Sequence, residues 1–367
     1  MMNLQIVERV IDLAVQIQQI PAPTFDEDDR GGFIHTCFVQ ENLVDIEIDA
    51  VGNVLGCIPG EGSEPPIVVS AHLDTVFPFD TDLSSQRFPD RVAGPGIGDN
   101  SVGLAGLLGL LWGLKEHEIK LPSDLWLVAN VGEEGLGDLC GIKEIVNRFA
   151  DQVKAYIILE GMALGQVYHR GLGVERYSIN ITTDGGHSWV DYGKPSAVHE
   201  LAALVTKLLD IQLSEIPRTT MNVGVISGGT TINTIASEAY MELDLRSEDL
   251  AQLDQLVAAV KDTLQSFQKP AVKVSAELIG HRPAGAIAQD HPLVQLASSC
   301  LEQVGIQPRF NIGSTDANIP LSLGYPAVCL GLTTGNRAHT VGEYINISPL
   351  QLGLEQLLLL VEKMGGR

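Results

Sequence analysis

The sequence predicts an α/β chain, a sheet with helices on its faces, interrupted by a smaller α+β domain. Three observations carry this reading. Up to about residue 172, short apolar runs alternate with longer segments of helical period. The order then changes to β-α-β-β-α-β, the split arrangement of a ferredoxin-like domain. Beyond about residue 283 the helix–strand alternation returns, so the middle segment reads as an insertion.

Residues 4–20 place apolar side chains at helical spacing and predict the first helix. Residues 46–48, 54–58 and 67–73 are apolar runs between Gly, Pro and Asn punctuation, and read as strands. Residues 101–114 are apolar all round, as a buried helix is. A strand at 125–131, a helix at 142–149 and a strand at 156–159 follow. Within the insertion, strands fall at 174–182, 221–226, 238–246 and 271–279, with helices at 196–209 and 249–267. A helix at 291–304, a strand at 326–330 and a closing helix at 350–363 complete the chain. One domain is therefore expected from residues 1–172 and 284–367, and an inserted one from 173–283.

The 367 residues are 45% hydrophobic, enough to fill a core in each domain. Lys and Arg number 23 against 46 Asp and Glu, a net charge of −23. Such a surface repels phosphate backbones and anionic lipid, so neither nucleic acid nor a membrane is expected as a partner. The 38 Gly and 18 Pro follow no period, which excludes collagen-like and repeat architectures. The longest uncharged apolar run, 102–114, is too short and too glycine-rich to span a bilayer. The N-terminus lacks a cationic start and a small-residue cleavage site, so no signal peptide is expected. The five cysteines are odd in number and scattered, without disulfide or CxxC spacing. These features predict a soluble, cytoplasmic protein.

Several carboxylates and imidazoles stand directly after apolar strands, where open α/β sheets place ligand sites. The run at 67–75 ends in His72 and Asp74, two residues apart and so on one side of a strand-like segment. Asp74 can accept the imidazole N–H and fix the tautomer of a metal-binding His72. The strand at 125–131 runs into Glu133 and Glu134, and the strand at 156–159 into Glu160. Asp99 lies in a glycine-rich turn before the buried helix, and His339 in a late loop. His72, Asp99, Glu134, Glu160 and His339 are the donor set that two zinc ions need, one carboxylate bridging. Glu133 is then the general base that takes a proton from water and gives it to the leaving nitrogen. Plainer readings stand beside these: a hydrogen-bonded structural histidine, a solvated Glu133–Glu134 loop, or Asp99 as a helix cap. Glu160 has the weakest such alternative, because a charge emerging from an apolar strand needs a partner.

Eight motifs occur in one order: AHLDTV (71–76), GIGDNSVGLAG (96–106), GEEGLGD (132–138), GGHSW (185–189), GGTTINTIA (228–236), DLRS (244–247), GSTDAN (313–318) and AHTVGEYI (338–345). Together they resemble the M20 metallopeptidase family, which includes tripeptidase-T-like aminopeptidases, glutamate carboxypeptidases, aminoacylases, and acetylornithine and succinyl-diaminopimelate deacylases. The resemblance covers essentially the whole chain. It implies a zinc-peptidase-type mixed sheet with helices on both faces, and a ferredoxin-like insert serving as lid and dimerisation domain, hence a homodimer. It also implies two Zn²⁺, with Co²⁺ or Mn²⁺ as other occupants of such sites. His72 and Glu160 would serve the first metal, Glu134 and His339 the second, Asp99 would bridge, Asp74 would orient His72, and Glu133 would be the base. A cis peptide would follow Asp99. His187 would help stabilise the oxyanion, while Asn233 and Arg246 would hold the substrate's carboxylate end.

Two departures blur the subfamily: Leu73 after His72, and Asn100 after Asp99 where many members carry a second aspartate. The first expectation is an aminopeptidase or tripeptidase acting on short peptides. An N-acyl amino acid deacylase or a carboxypeptidase is the alternative, and a non-catalytic binding protein on the same fold is a remote one.

Overall fold

The computed structural model describes residues 2–366. The chain forms two compact units: one runs to Gly171 and resumes at Gly285, the other is Leu172–Ala284.

The first unit is built on a mixed sheet of nine strands. In chain order these are β1 (Val44–Ile48), β2 (Val54–Ile58), β3 (Glu64–His72), β4 (Ser123–Asn130), β5 (Ala155–Glu160), β6 (Gln166–Gly171), β7 (Gly285–Ala286), β8 (Arg309–Gly313) and β9 (Ala327–Gly331). Their order across the sheet is β1-β2-β4-β3-β5-β9-β6-β7, with β8 beside β6. The central four, β4-β3-β5-β9, are parallel, while β2 and β6 pair antiparallel on either side. Parallel strands buried on both faces need continuous apolar sequence, which 67–71 and 155–159 supply. The carboxyl ends of β3, β4 and β5 lie side by side, at His72, Asn130 and Glu160.

Helices α1 (Leu4–Gln18), α2 (Asp28–Gln40), α3 (Val102–Glu116), α4 (Cys140–Phe149), α5 (Pro292–Gln303), α6 (Asn318–Ser322) and α7 (Ser348–Met364) accompany this sheet. Among the described residues one helical stretch, Ile97–Glu116, is long and apolar enough to cross a membrane; 94% of its most apolar 18 residues are buried in the core. Its glycines permit that packing: a Cβ at Gly106 would lie 2.1 Å from Leu332 Cδ1, and one at Gly109 2.7 Å from Val10 Cγ2. Helix α2 is absent from the sequence expectation. Gly31 and Gly32 weaken its local propensity, and packing rather than propensity holds it.

The second unit is a four-stranded antiparallel sheet in the order Thr219–Gly228, Glu238–Ser247, Gly173–Thr183, Val272–Arg282. Helices Ala197–Leu208 and Leu250–Ser266 bury Leu201, Leu204, Leu256 and Val260 in its own core. The β-α-β-β-α-β order is the one the sequence predicts.

Candidate metal centre

Each candidate ligand sits where a strand or a tight turn ends. His72 closes β3 and is buried. Its Nε2 lies 3.1 Å from Asp99 Oδ1. Its Nδ1 is 3.0 Å from the backbone carbonyl of Asp74 and 3.4 Å from that residue's Oδ1. The carbonyl therefore makes the shorter contact with the ring, and the Asp74 carboxylate works mainly elsewhere. It accepts the backbone N–H of Glu133 at 2.9 Å, that of Glu134 at 2.8 Å, and the Thr24 hydroxyl at 2.8 Å. A fully buried carboxylate thus fixes the turn that carries two candidate functional glutamates.

Asp99 stands in a wide turn, Ile97–Ser101, just before α3, and the Asp99–Asn100 peptide is cis, as the resemblance implies. Its Oδ2 is 3.1 Å from His339 Nε2, and the same nitrogen is 3.1 Å from Glu134 Oε1. Two groups of donor atoms result, His72–Asp99–Glu160 and Asp99–Glu134–His339, each with its atoms within 4.8 Å of one another. Asp99 belongs to both.

The electrostatics follow from crowding. Burial, then the charges of Asp99, Glu133 and Asp316, push the Glu160 carboxyl well above its usual range, with His72 opposing. Burial acts against ionising Asp99, yet hydrogen bonds from His339 and His72 hold its carboxyl below the ordinary value. Hydrogen bonds to Asp99 and Glu134 push the His339 imidazole up to about 10, against burial. Carboxylates gathered this closely, with only imidazoles between them, form a site complementary to cations. The donors are oxygen and imidazole nitrogen without thiolate, a set that suits zinc, cobalt or manganese. The residues present therefore fit a pair of divalent ions.

Five further residues shape the site; four of them, Glu27, Arg30, Asn130 and Glu343, escape the sequence reading, while Asp316 lies in the GSTDAN motif, which gave it no ligand role. Glu27 Oε1 accepts the Gly132 N–H at 3.1 Å. Arg30, fully buried on α2, donates to the Leu73 carbonyl at 2.7 Å and to Ile20 O at 2.5 and 3.0 Å. Burial lowers its pKa to about 10, with Asp74 and Glu27 opposing. Asn130 donates to Asp316 at 2.7 Å, so Asp316 serves as a buried partner of β4. Glu343 accepts backbone N–H groups from the Asp99 turn at 2.6–3.2 Å. Burial, with the Asp99 charge, pushes its carboxyl up to about 7. Glu27 and Arg30 leave no pattern in sequence because the helix that pairs them does not announce itself; Glu343 sits in a quoted motif but beside a more conspicuous histidine.

In the second unit, His187 and Asn233 come together. Gly186–His187 pairs with Thr234–Ile235, and the Ser188 N–H donates to Asn233 O at 3.0 Å. Both side chains are exposed. His187 Nδ1 accepts the N–H groups of Trp189 and Val190 at 3.2 and 3.3 Å, which leaves Nε2 as the proton-bearing nitrogen of the neutral ring. Arg246 is not with them. It lies near the far end of Glu238–Ser247, opposite Val174, and its Nε donates to Asp244 Oδ2 at 2.6 Å. Asp244 also takes Arg176 at 3.0 Å.

Imidazole and carboxylate donors gathered at the carboxyl end of a mixed α/β sheet, in turns and at strand ends, suit a metal-dependent hydrolase, and the family match supplies that class. The chain belongs to peptidase family M20/M25/M40, whose model matches residues 68–363. It is 24% identical over 338 residues to a succinyl-diaminopimelate desuccinylase of Corynebacterium glutamicum, covering 90% of this chain and 89% of that one. It is 24% identical over 326 residues to carboxypeptidase G2 of a Pseudomonas species, covering 85% and 77%. In structure it resembles a Staphylococcus aureus tripeptidase with a TM-score of 0.82 and 22% identity, covering 98% of this chain and 99% of that one.

Proposed function

We propose that this protein is a two-metal hydrolase that cleaves the amide bond of short peptides, acting as an aminopeptidase or tripeptidase. The observation that carries the reading is the pair of donor groups sharing Asp99, with Glu133 beside them on the turn that Asp74 fixes. His72 and Glu160 would hold one ion, Glu134 and His339 the other, and Asp99 would serve both. When bound, such ions acidify a water and polarise the scissile carbonyl. The Glu133 carboxylate takes the proton of the attacking water and delivers it to the departing nitrogen. Asp74 keeps Glu133 and Glu134 at fixed separation through their backbone N–H groups. For the inserted unit we propose the roles of lid and dimer interface, with His187 donating from Nε2 to the developing oxyanion, Asn233 beside it binding the substrate carboxylate, and Arg246 reaching that carboxylate from its own separate place on the sheet.

The five cysteines are free, which supports a reducing, cytoplasmic compartment. The edge strand Thr219–Gly228 exposes Val225 and Ile226, a surface suited to cover by a second copy, which supports a homodimer. A second reading, an N-acyl amino acid deacylase or carboxypeptidase, is favoured by the desuccinylase and carboxypeptidase relatives.

The deciding experiment is a mass-spectrometric digest of a pool of free di- and tripeptides, N-blocked peptides and N-acyl amino acids by zinc-loaded protein. Loss of the free-amine peptides alone supports the first reading; loss of the acylated compounds supports the second. Glu133→Ala should lower the rate by about 10²–10⁴-fold while keeping the bound metal. A Glu133→Ala protein as fast as wild type would remove Glu133 from the chemistry.

A further inference from the structure

We propose that Glu343 is a positioning residue for the metal centre: its carboxylate locks the backbone of the turn that carries Asp99 to the loop that carries His339. The proposal rests on the reading above that these two residues share an ion. Glu343 is fully buried. Its Oε1 accepts the N–H of Gly98 at 2.6 Å and of Asp99 at 2.9 Å, and its Oε2 accepts that of Gly96 at 3.2 Å. Its own carbonyl accepts the Gly94 N–H at 2.9 Å. A single residue therefore meets the turn and the glycines that lead into it at four backbone groups.

The turn needs such a partner. Gly96 has φ +72°, and Asp99 (φ −120°, ψ 87°) and Asn100 (φ −133°, ψ 37°) leave helical geometry. Backbone N–H groups so arranged cannot all close on helical carbonyls, and buried donors must find acceptors. The carboxylate offers acceptor sites on both oxygens, where a carboxamide would turn an NH₂ toward one donor. Glu343 is itself anchored. Its N–H donates to Thr340 O at 3.1 Å, and Tyr344–Asn346 pairs with Arg91–Ala93. The preceding loop holds His339, whose Nε2 meets Asp99 Oδ2 at 3.1 Å. The spacing between these ligands is thus set by the register that Glu343 enforces. Partners behind metal ligands commonly change affinity or activity by about 10–100-fold when lost.

The test compares wild type with Glu343→Gln and Glu343→Leu. Metal-free protein is titrated with Zn²⁺ by calorimetry, and hydrogen exchange is followed by mass spectrometry in the segment 94–104. Glu343→Gln should weaken zinc binding about tenfold and Glu343→Leu about 100-fold. Exchange at 94–104 should speed up in the same order, and kcat should fall in parallel while KM stays within about threefold. If Glu343→Leu does not fold, Glu343→Gln decides alone. Wild-type zinc affinity and unchanged exchange in Glu343→Gln, even with a lowered Tm, would overturn the proposal, since Glu343 would then only stabilise the fold. Should wild type itself hydrolyse nothing in the pool, the hydrolase reading fails, whereas zinc binding and exchange still decide the role of Glu343.

Discussion

The two units carry their candidate functional residues in opposite ways. In the first, His72, Glu133 and Glu134 are buried, and the backbone around them is tied down by Asp74, Glu27, Arg30 and Glu343. In the second, His187 and Asn233 sit on exposed loops, held by their own neighbours and one short strand pair. A metal centre tolerates little positional error, so its ligands belong at the ends of core strands with a buried layer behind them. Groups that meet a variable substrate belong on loops a rigid scaffold presents. The difference predicts that substitutions in the two places will fail differently.

His187→Ala offers the largest expected effect in this comparison. In the role proposed for His187, its loss should cost about 10²–10³ in kcat with Tm unchanged, because the exposed ring contributes nothing to the core. A normal kcat would show that Nε2 of His187 does not meet the reacting carbonyl. Asp74→Asn comes next, and it should act on rate and stability together. The carboxamide must turn an NH₂ toward a backbone N–H, so either Glu133 or Glu134 loses its acceptor. The expected loss is about 10–100-fold in rate, and unfolding should become easier by about 1–3 kcal/mol, read from chemical denaturation. If rate falls while stability holds, the buried layer is not shared between fold and chemistry, and the contrast between the units weakens.

How much of this was legible in sequence depends on period. Strands β3 and β5 are apolar runs ending at His72 and Glu160, so their identity and the placement of those two residues follow from residue order alone. The insertion was legible because its element order breaks the alternation around it. The supporting layer was not. Arg30 lies on a helix whose local propensity is poor, and its partners Ile20 and Leu73 are carbonyls, which no residue type reveals. Asp74 was legible as a neighbour of His72, but its hydrogen bonds to Glu133 and Glu134 span two strands. Arg246 appeared beside a plausible substrate role, whereas its register opposite Val174 sets it apart from His187 and Asn233.

Proton counting gives the smallest and cleanest signal. His339 is half exposed, yet hydrogen bonds to Asp99 and Glu134 push its pKa up to about 10 in the metal-free protein. Its folded pKa is thus raised above the usual value of about 6.5. The stability it lends the metal-free fold is complete below that value and is lost as pH rises through about 10. A metal ligand must be neutral imidazole, so zinc binding at pH 8 must expel this proton. Calorimetric titration in two buffers of different ionisation enthalpy should therefore report at least one proton released per protein, and more where His72, held protonated by hydrogen bonds to Asp74 and Asp99 against burial, or buried Glu160 gives one up as well. Apparent affinity should rise about tenfold per pH unit for each proton displaced, levelling near the His339 pKa. The metal-free Tm should fall across the same window while the loaded protein, whose imidazole is already neutral, does not follow it. Identical heats in both buffers would mean that His339 is neutral before zinc arrives or never binds it, and the second donor group would then lose its nitrogen.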